Sequence, residues 1–261
     1  MPRVNAVRLL ASAVAAGLIA ACAATSSAGP GYSEPAGIRS ALVLNGHTVT
    51  VAWSDGDTFV FESGLRRGGK ARLMGVNTLE TYGPVHRWGD WASRELLEIA
   101  RGSARVAAEA PPTCSTRGAK DRYGRLLVDC AGIREELLRT GHGHLYPFDR
   151  EAKTEDVALQ ADARRARVGM WRKGVPTAIV TKTEAATADN GWSAAHWLVS
   201  TDDGRSRRIG HGKEYAVCDE VCVGRPPAVP SCLRWVPWER RYTDRPGCLL
   251  DQASAGERPS E

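Results

Sequence analysis

From about residue 38 the chain alternates apolar and polar positions. His47–Trp53 turns on Val49 and Val51, Asp55-Gly56 interrupts the run, and Phe59–Phe61 resumes it. Period-two alternation broken by a tight-turn pair predicts strands joined by short turns. Gly64–Gly69 is a basic, glycine-rich loop, and Lys70–Val76 reads as the next strand, so three strands form a meander. The period then lengthens. Trp88–Arg101 places apolar residues at 88, 92, 96, 99 and 100, one face of a helix that Asp90 would cap and Gly102 would end. Val106–Ala110 reads as a strand stopped by Pro111-Pro112, and Leu126–Cys130 as another. Ile133–Thr140 is a short helix closed by Gly141, and Thr154–Arg167 a third helix, carried by its alanines and its ends more than by an apolar stripe. This order predicts a mainly β fold with α (α+β): a five-stranded Greek-key barrel of the OB type with three helices.

The flanks read differently. Met1–Arg8 carries two arginines and Leu9–Ala21 is apolar and small, too short to span a bilayer, so residues 1–21 are expected to be a signal peptide. It ends Leu18-Ile19-Ala20-Ala21-Cys22, which resembles a lipoprotein box, making Cys22 the expected lipidated N-terminus and the anchor to a cell-envelope membrane. Residues 22–37, rich in Ser, Gly, Ala and Pro, read as a tether to a domain over 38–173. A linker over 174–190 leads to a cysteine-rich module of unknown function over 191–250, with Trp192, Trp197, Trp235 and Trp238. A polar tail follows over 251–261.

Of the seven cysteines, six remain once Cys22 is set aside, and an even number in an exported chain points to disulfides. Cys114 and Cys130 flank the Asp121–Arg125 loop on strands expected to be antiparallel neighbours, and are expected to pair. Cys218 and Cys222 lack a histidine partner at zinc-finger spacing. Formal charge is +5, and residues 1–21 hold two arginines and no acid. Without them the balance is +3, compatible with a polyanionic substrate.

Three stretches carry chemistry. Asp57 follows a tight turn at a strand mouth, a place suited to a cation ligand. Asn77 and Thr78 end a strand, where an amide oxygen and a backbone carbonyl can face the same ion. Ca²⁺ takes such mixed oxygen ligands. Glu80, just past the strand end, can reach a water as general base, and Arg72 and Arg125 supply guanidinium groups for a phosphate. Arg72 and Asn77 are five residues apart, so a regular strand would send them to opposite faces, and a bulge near Gly75 is needed to unite them.

These residues, D-G-D-T at 55–58, R-L-M-G-V-N-T-L-E-T at 72–81, D-R-Y-G-R at 121–125 and V-G-M-W at 168–171, resemble the thermonuclease (staphylococcal-nuclease-like) family over roughly Gly46–Trp171. The resemblance implies a secreted Ca²⁺-dependent nuclease on an OB barrel. It makes Asp57 a calcium ligand, Thr78 a ligand through its carbonyl, Glu80 the base, and Arg72 and Arg125 the phosphate clamps. Arg122 and Tyr123 would lie near the nucleotide's terminal phosphate. Asn77 stands where the family often has Asp, and Leu79 where proline is usual. His142-Gly143-His144 reads as a solvated loop rather than a metal site. The expected protein is a monomeric, exported, membrane-anchored nuclease acting on DNA, RNA or both. The rival readings are a catalytically weak nucleic-acid-binding lipoprotein and an envelope-docking protein whose functional part is the tail.

Overall fold

The computed structural model describes residues 37–81, 85–148, 151–188, 193–241 and 244–249. The expected signal peptide, Cys22, nearly all of the tether and the tail over 251–261 lie outside them. Among the described residues no helix is long and apolar enough to cross a membrane.

The chain opens with β1 (Ile38–Leu44) and β2 (His47–Trp53), antiparallel in full register from Ile38↔Trp53 to Leu44↔His47. Asn45 and Gly46, at φ 49° and 83°, make the two-residue turn between them, a conformation that Asn-Gly adopts at little cost. Then come β3 (Thr58–Phe61), β4 (Lys70–Leu73), β5 (Gly75–Thr78) and β6 (His86–Trp88). After α1 (Ser93–Glu109) lie β7 (Thr113–Cys114), β8 (Leu126–Val128), α2 (Ala131–Arg139), β9 (Gly143–Tyr146) and α3 (Thr154–Arg165). The last part holds β10 (Ala178–Thr183), β11 (Ala195–Ser200), β12 (Ser206–Gly210), β13 (Glu220–Val223) and β14 (Ser231–Arg234).

A mixed sheet in the order β7-β1-β2-β3-β4-β8, with the pair β5-β9 beside it, makes a nearly closed barrel of OB-like α+β type. Its core is filled by alternate residues of these strands, among them Val51, Trp53, Phe59, Phe61 and Leu73, with Leu137 of α2. Trp53, Phe59 and Phe61 meet edge to face at centroid distances of 4.9 and 5.2 Å, a favourable packing for aromatic rings. A second cluster, Trp88, Trp91, Leu96, Met170 and Trp171, seats the start of α1 on the turn Gly169–Trp171. There both Trp88 and Trp91 donate their indole N–H to the Met170 carbonyl.

The elements depart from the sequence pattern in several places, among them the start of the first helix, which is Ser93 with Ala92 as its N-cap rather than Trp88 with Asp90, Trp88 lying in β6. Val106–Ala110 is not a strand: α1 runs through Gly102 to Glu109. Its second half is alanine-rich, which favours helix, and Leu96, Ala100, Ser103, Ala104 and Ala107 keep one face buried. Gly102 is there for space, since a Cβ would lie 3.2 Å from His142 Nε2. The stretch 174–190 is not a simple linker, because it holds β10, which pairs with β11. And β14 pairs with β6 through Ser231↔Trp88, Cys232↔Arg87 and Leu233↔His86, so the cysteine-rich segment is hydrogen-bonded to the barrel part of the chain. Gln160 of α3 adds a buried link, accepting from Leu145 N and donating to the Thr201 carbonyl. All described residues fall within one compact unit.

Among the described residues three disulfides are present: Cys114–Cys130, Cys218–Cys248 and Cys222–Cys232. The first closes a separation of 16 residues, which in the chain-entropy account contributes about 3 kcal/mol. With the antiparallel bridges Ser115↔Asp129 and Lys120↔Leu126 it ties the base of a ribbon whose tip is Asp121–Arg125.

Candidate active site

The site forms where three chain breaks meet: the turn between β2 and β3, the break between β4 and β5, and the ribbon tip. Asp55 builds the first. Its Oδ1 accepts from the backbone N–H groups of Asp57 and Thr58 at 3.0 and 2.7 Å, and this Asx-type turn aims the next carboxylate inward. Asp57, 5% exposed, is then fully engaged. Its Oδ2 accepts from Thr78 N at 2.6 Å and Thr78 Oγ1 at 3.1 Å, its Oδ1 accepts from Thr58 Oγ1 at 2.9 Å, and it pairs with Arg72.

The second break resolves the spacing between Arg72 and Asn77. The strand is interrupted at Met74, and Gly75 takes φ 85°. Only glycine fits there, since positive φ strains other residues and a Cβ would come within 2.7 Å of Arg134 Cδ. The chain is thereby turned so that Arg72 Nη2 donates to Asn77 Oδ1 at 2.7 Å. Arg72 is buried between Asp57, Asn77 and Phe148, whose ring centroid is 6.0 Å from its guanidinium carbon.

Asn77 uses its other amide atom as well. Nδ2 donates to the Thr78 carbonyl at 2.9 Å and lies 3.1 Å from His144 Nε2. His144 is opposite Asn77 in the β5–β9 register and is buried. Its Nδ1 faces the Leu145 carbonyl at 3.0 Å, which must accept, so Nδ1 carries the proton and Nε2 presents a lone pair. Burial holds its pKa down to about 4, consistent with this neutral form.

At the ribbon tip, Arg125 Nε donates to Asp121 Oδ2 at 2.7 Å and Nη1 lies 3.4 Å from Thr58 Oγ1, placing Arg125 beside the Asp57 turn. Tyr123 is 62% exposed and lies under two guanidinium carbons, at 4.8 Å from Arg122 and 5.6 Å from Arg125. Leu79 is buried and carries the chain out to Glu80, which has an exposed surface and makes no hydrogen bond to a described residue.

The carboxylates here feel one another and the two arginines. Burial and the neighbouring Asp57 push Asp55 well above the ordinary carboxylate range. Burial pushes Asp57 up too, but Arg72, Thr78 and Thr58 outweigh it and hold the carboxyl low, so it is ionised. Glu80 is raised by the protein mass around it and by Asp57, against the pull of Arg241, Arg72 and Arg125. Its exposed surface admits water, so this rise is softened by solvent.

Asp57, Asn77, Thr78, Arg72 and Arg125 are thus gathered at one place, with Glu80 electrostatically within reach; Arg122 and Tyr123 stand at its exposed edge. Two members have no assigned role in the sequence reading. Asp55 was visible only as part of D-G-D-T. His144 is no solvated loop residue: it is a buried strand residue facing the site, which the Gly-His-Gly-His composition disguised. The donor set fits Ca²⁺ in kind, since the Asp57 carboxylate, the Thr78 carbonyl and the Asn77 amide oxygen are all hard oxygens. At present Asn77 turns its nitrogen, not its oxygen, toward the Thr78 carbonyl.

Residues 70–173 match the family model described as staphylococcal nuclease homologue. The match takes in Arg72, Asn77, Thr78, Glu80 and Arg125 and begins after Asp57. No curated protein matches the chain.

Proposed function

We propose that this chain, which carries a staphylococcal-nuclease-like domain over residues 70–173, is an exported, membrane-anchored, Ca²⁺-dependent nuclease that hydrolyses phosphodiester bonds of DNA, RNA or both. The family is one of nucleases, generally Ca²⁺-dependent. The observation that carries the reading is the buried Arg72 fork, held between Asp57 and Asn77 beside the Thr78 carbonyl, with a second arginine and an exposed glutamate at the rim. A binding module has no need of that glutamate.

In this reading Glu80 takes the proton of a water molecule as its oxygen bonds to phosphorus, and the ester bond to the leaving oxygen breaks, that oxygen taking a proton from solvent. Burial and the neighbouring Asp57 raise the pKa of Glu80, which makes its carboxylate a better base. Arg72 and Arg125 fork onto the non-bridging oxygens, where negative charge grows. Asp57, Asn77 and Thr78 would hold Ca²⁺, which when bound polarises a phosphoryl oxygen and offsets its charge. Asp55 and His144 position the groups they touch: the Asp57 turn and the Asn77 amide. Export and anchoring rest on residues 1–21 and on Cys22.

The test is incubation of purified protein with plasmid and with RNA, in Ca²⁺ or in chelator. Cleavage in Ca²⁺ alone is expected; intact substrates in both would contradict the reading. Lipid mass on the Cys22 peptide, and its loss with release from membranes in Cys22→Ser, is the matching test of the anchor.

Asn77 gives a sharper prediction. Its Nδ2 satisfies the Thr78 carbonyl and the His144 lone pair without any ion. An Asp there would set carboxylate oxygens against two acceptors and add charge beside Asp57, a cost that a bound cation removes. Asn77→Asp should therefore melt lower than wild type in chelator, gain more in melting temperature from Ca²⁺, and reach half-maximal cleavage at lower Ca²⁺. Equal melting in chelator and an unchanged calcium midpoint would show that residue 77 does not face the ion.

A further inference from the structure

The turn of the β11–β12 hairpin is seated beside the candidate site. Gly204, at φ 72°, lies so close to β9 that a Cβ there would come within 2.7 Å of Leu145 Cβ and 2.9 Å of Pro147 Cδ. Gln160 and Arg164 of α3 both donate to the Thr201 carbonyl, at 2.6 and 2.8 Å. Arg205 Nη2 pairs with Glu151 Oε1 at 3.2 Å, and Glu151 lines a cavity of about 380 Å³ with Gly75, Asp121 and Phe148. Phe148 is also the ring near Arg72.

From this turn β12 leads away as a cationic edge. It is an outer strand in the order β10-β11-β12, and all five of its residues are exposed. No Asp or Glu occurs from Gly204 to Lys213, a run that holds Arg205, Arg207, Arg208 and Lys213 before Glu214 closes it. The nearby acids are taken: Asp202 pairs with Arg164, Asp203 with Arg205 and Glu184 with Lys182. Among the described residues Arg207, Arg208 and Lys213 pair with no carboxylate. The cross-strand row Lys182↔Trp197↔Arg208 sets Arg208 over the half-buried Trp197 ring, 5.5 Å from its centroid, and Arg208 Nη2 donates to the Ser193 carbonyl. Arg207 projects from the other face of the strand. At about 3.4 Å per residue, the two arginines stand about 10–14 Å beyond Gly204 along the strand. Charge guards many edge strands against pairing with other chains. Here the unpaired cations also begin where the cavity beside Arg72 ends, so a polyanion leaving that cavity meets them.

We propose that Arg207, Arg208 and Lys213 form a phosphate-tracking exosite, which holds the backbone of a long nucleic-acid substrate beyond the bond being cleaved. The contacts are to phosphate and carry no base preference. The hairpin of the C-terminal segment is then part of the substrate path rather than a separate docking module. This inference rests on the nuclease reading.

The experiment measures cleavage by the full-length protein in Ca²⁺ on single strands of about three and about thirty nucleotides, the first too short to span both the site and β12. The triple variant Arg207→Gln, Arg208→Gln, Lys213→Gln keeps the stems and removes three charges. For the long strand its KM should rise roughly 10- to 100-fold at near-physiological salt, and the slope of log KM against log salt should fall by about 2. Its kcat, its KM for the short strand and its melting temperature should not move, since the three residues are exposed. Arg207→Lys with Arg208→Lys keeps the charge and should stay close to wild type on both strands. A long-strand KM within twofold of wild type in the triple variant would overturn the exosite and leave the nuclease reading standing. So would an unchanged KM with loss of sedimentation on phosphatidylglycerol vesicles, which would give the strip to a lipid surface, or with new self-association, which would make it only an edge guard. No cleavage of either strand by the unsubstituted protein would overturn the nuclease reading and this inference with it.

Discussion

Glu80→Gln should lower kcat by roughly 10²- to 10⁴-fold while affinity for nucleic acid holds or rises slightly. The substitution keeps the shape of the side chain and removes only its ability to take a proton. Glu80 makes no hydrogen bond to a described residue and has an exposed surface, so its loss should not disturb the fold. It also removes a negative charge from a rim that must receive a polyanion, which is why affinity should not fall. Asp55 and Asp57 cannot substitute for it. Asp57 is paired with Arg72 and held at a low pKa, which makes it a poor base, and Asp55 is held in its turn by two backbone N–H groups. Turnover like that of wild type in the Gln variant would remove Glu80 from the mechanism.

Arg72 carries the second large effect, and here activity and stability separate. Arg72→Lys keeps the charge beside Asp57, so the fold should survive. Lysine cannot reach Asp57 and Asn77 together or fork onto a phosphate, and cleavage should fall roughly 10²- to 10³-fold. Arg72→Met should do more. It leaves the buried Asp57 carboxylate without its counter-charge, at a cost of about 3–5 kcal/mol. Urea unfolding of both variants beside cleavage rates separates the two roles. If Lys retains full activity, Arg72 serves only the fold; if Met is as stable as wild type, the ion pair is not what holds the turn.

Much of this site could be read from residue order, because its parts are local. D-G-D-T is a turn whose first carboxylate caps the backbone of the next residues, and that geometry is written in four positions. The joining of Arg72 to Asn77 was legible as a requirement: five residues of regular strand could not unite them, and Gly75 was the one position able to break it. What was not legible depends on partners far along the chain. His144 gains its meaning from standing opposite Asn77, and nothing near His144 reports that register. Val106–Ala110 suggested a strand because it runs up to the Pro111-Pro112 stop, yet its alanines continue the buried face of α1. Ala178–Thr183 looked like linker because its pairing partner β11 lies in the next segment.

The proteins that would result from the rival readings differ in one chemical event, the entry of water at phosphorus. A defined oligonucleotide, incubated with the full chain and Ca²⁺ in ¹⁸O-enriched water and analysed by mass spectrometry, records that event directly. The predicted result is fragments whose new terminal phosphate carries one ¹⁸O, formed in Ca²⁺, absent in chelator and suppressed in Glu80→Gln. Intact oligonucleotide, or fragments ending in an unlabelled cyclic phosphate, would contradict it.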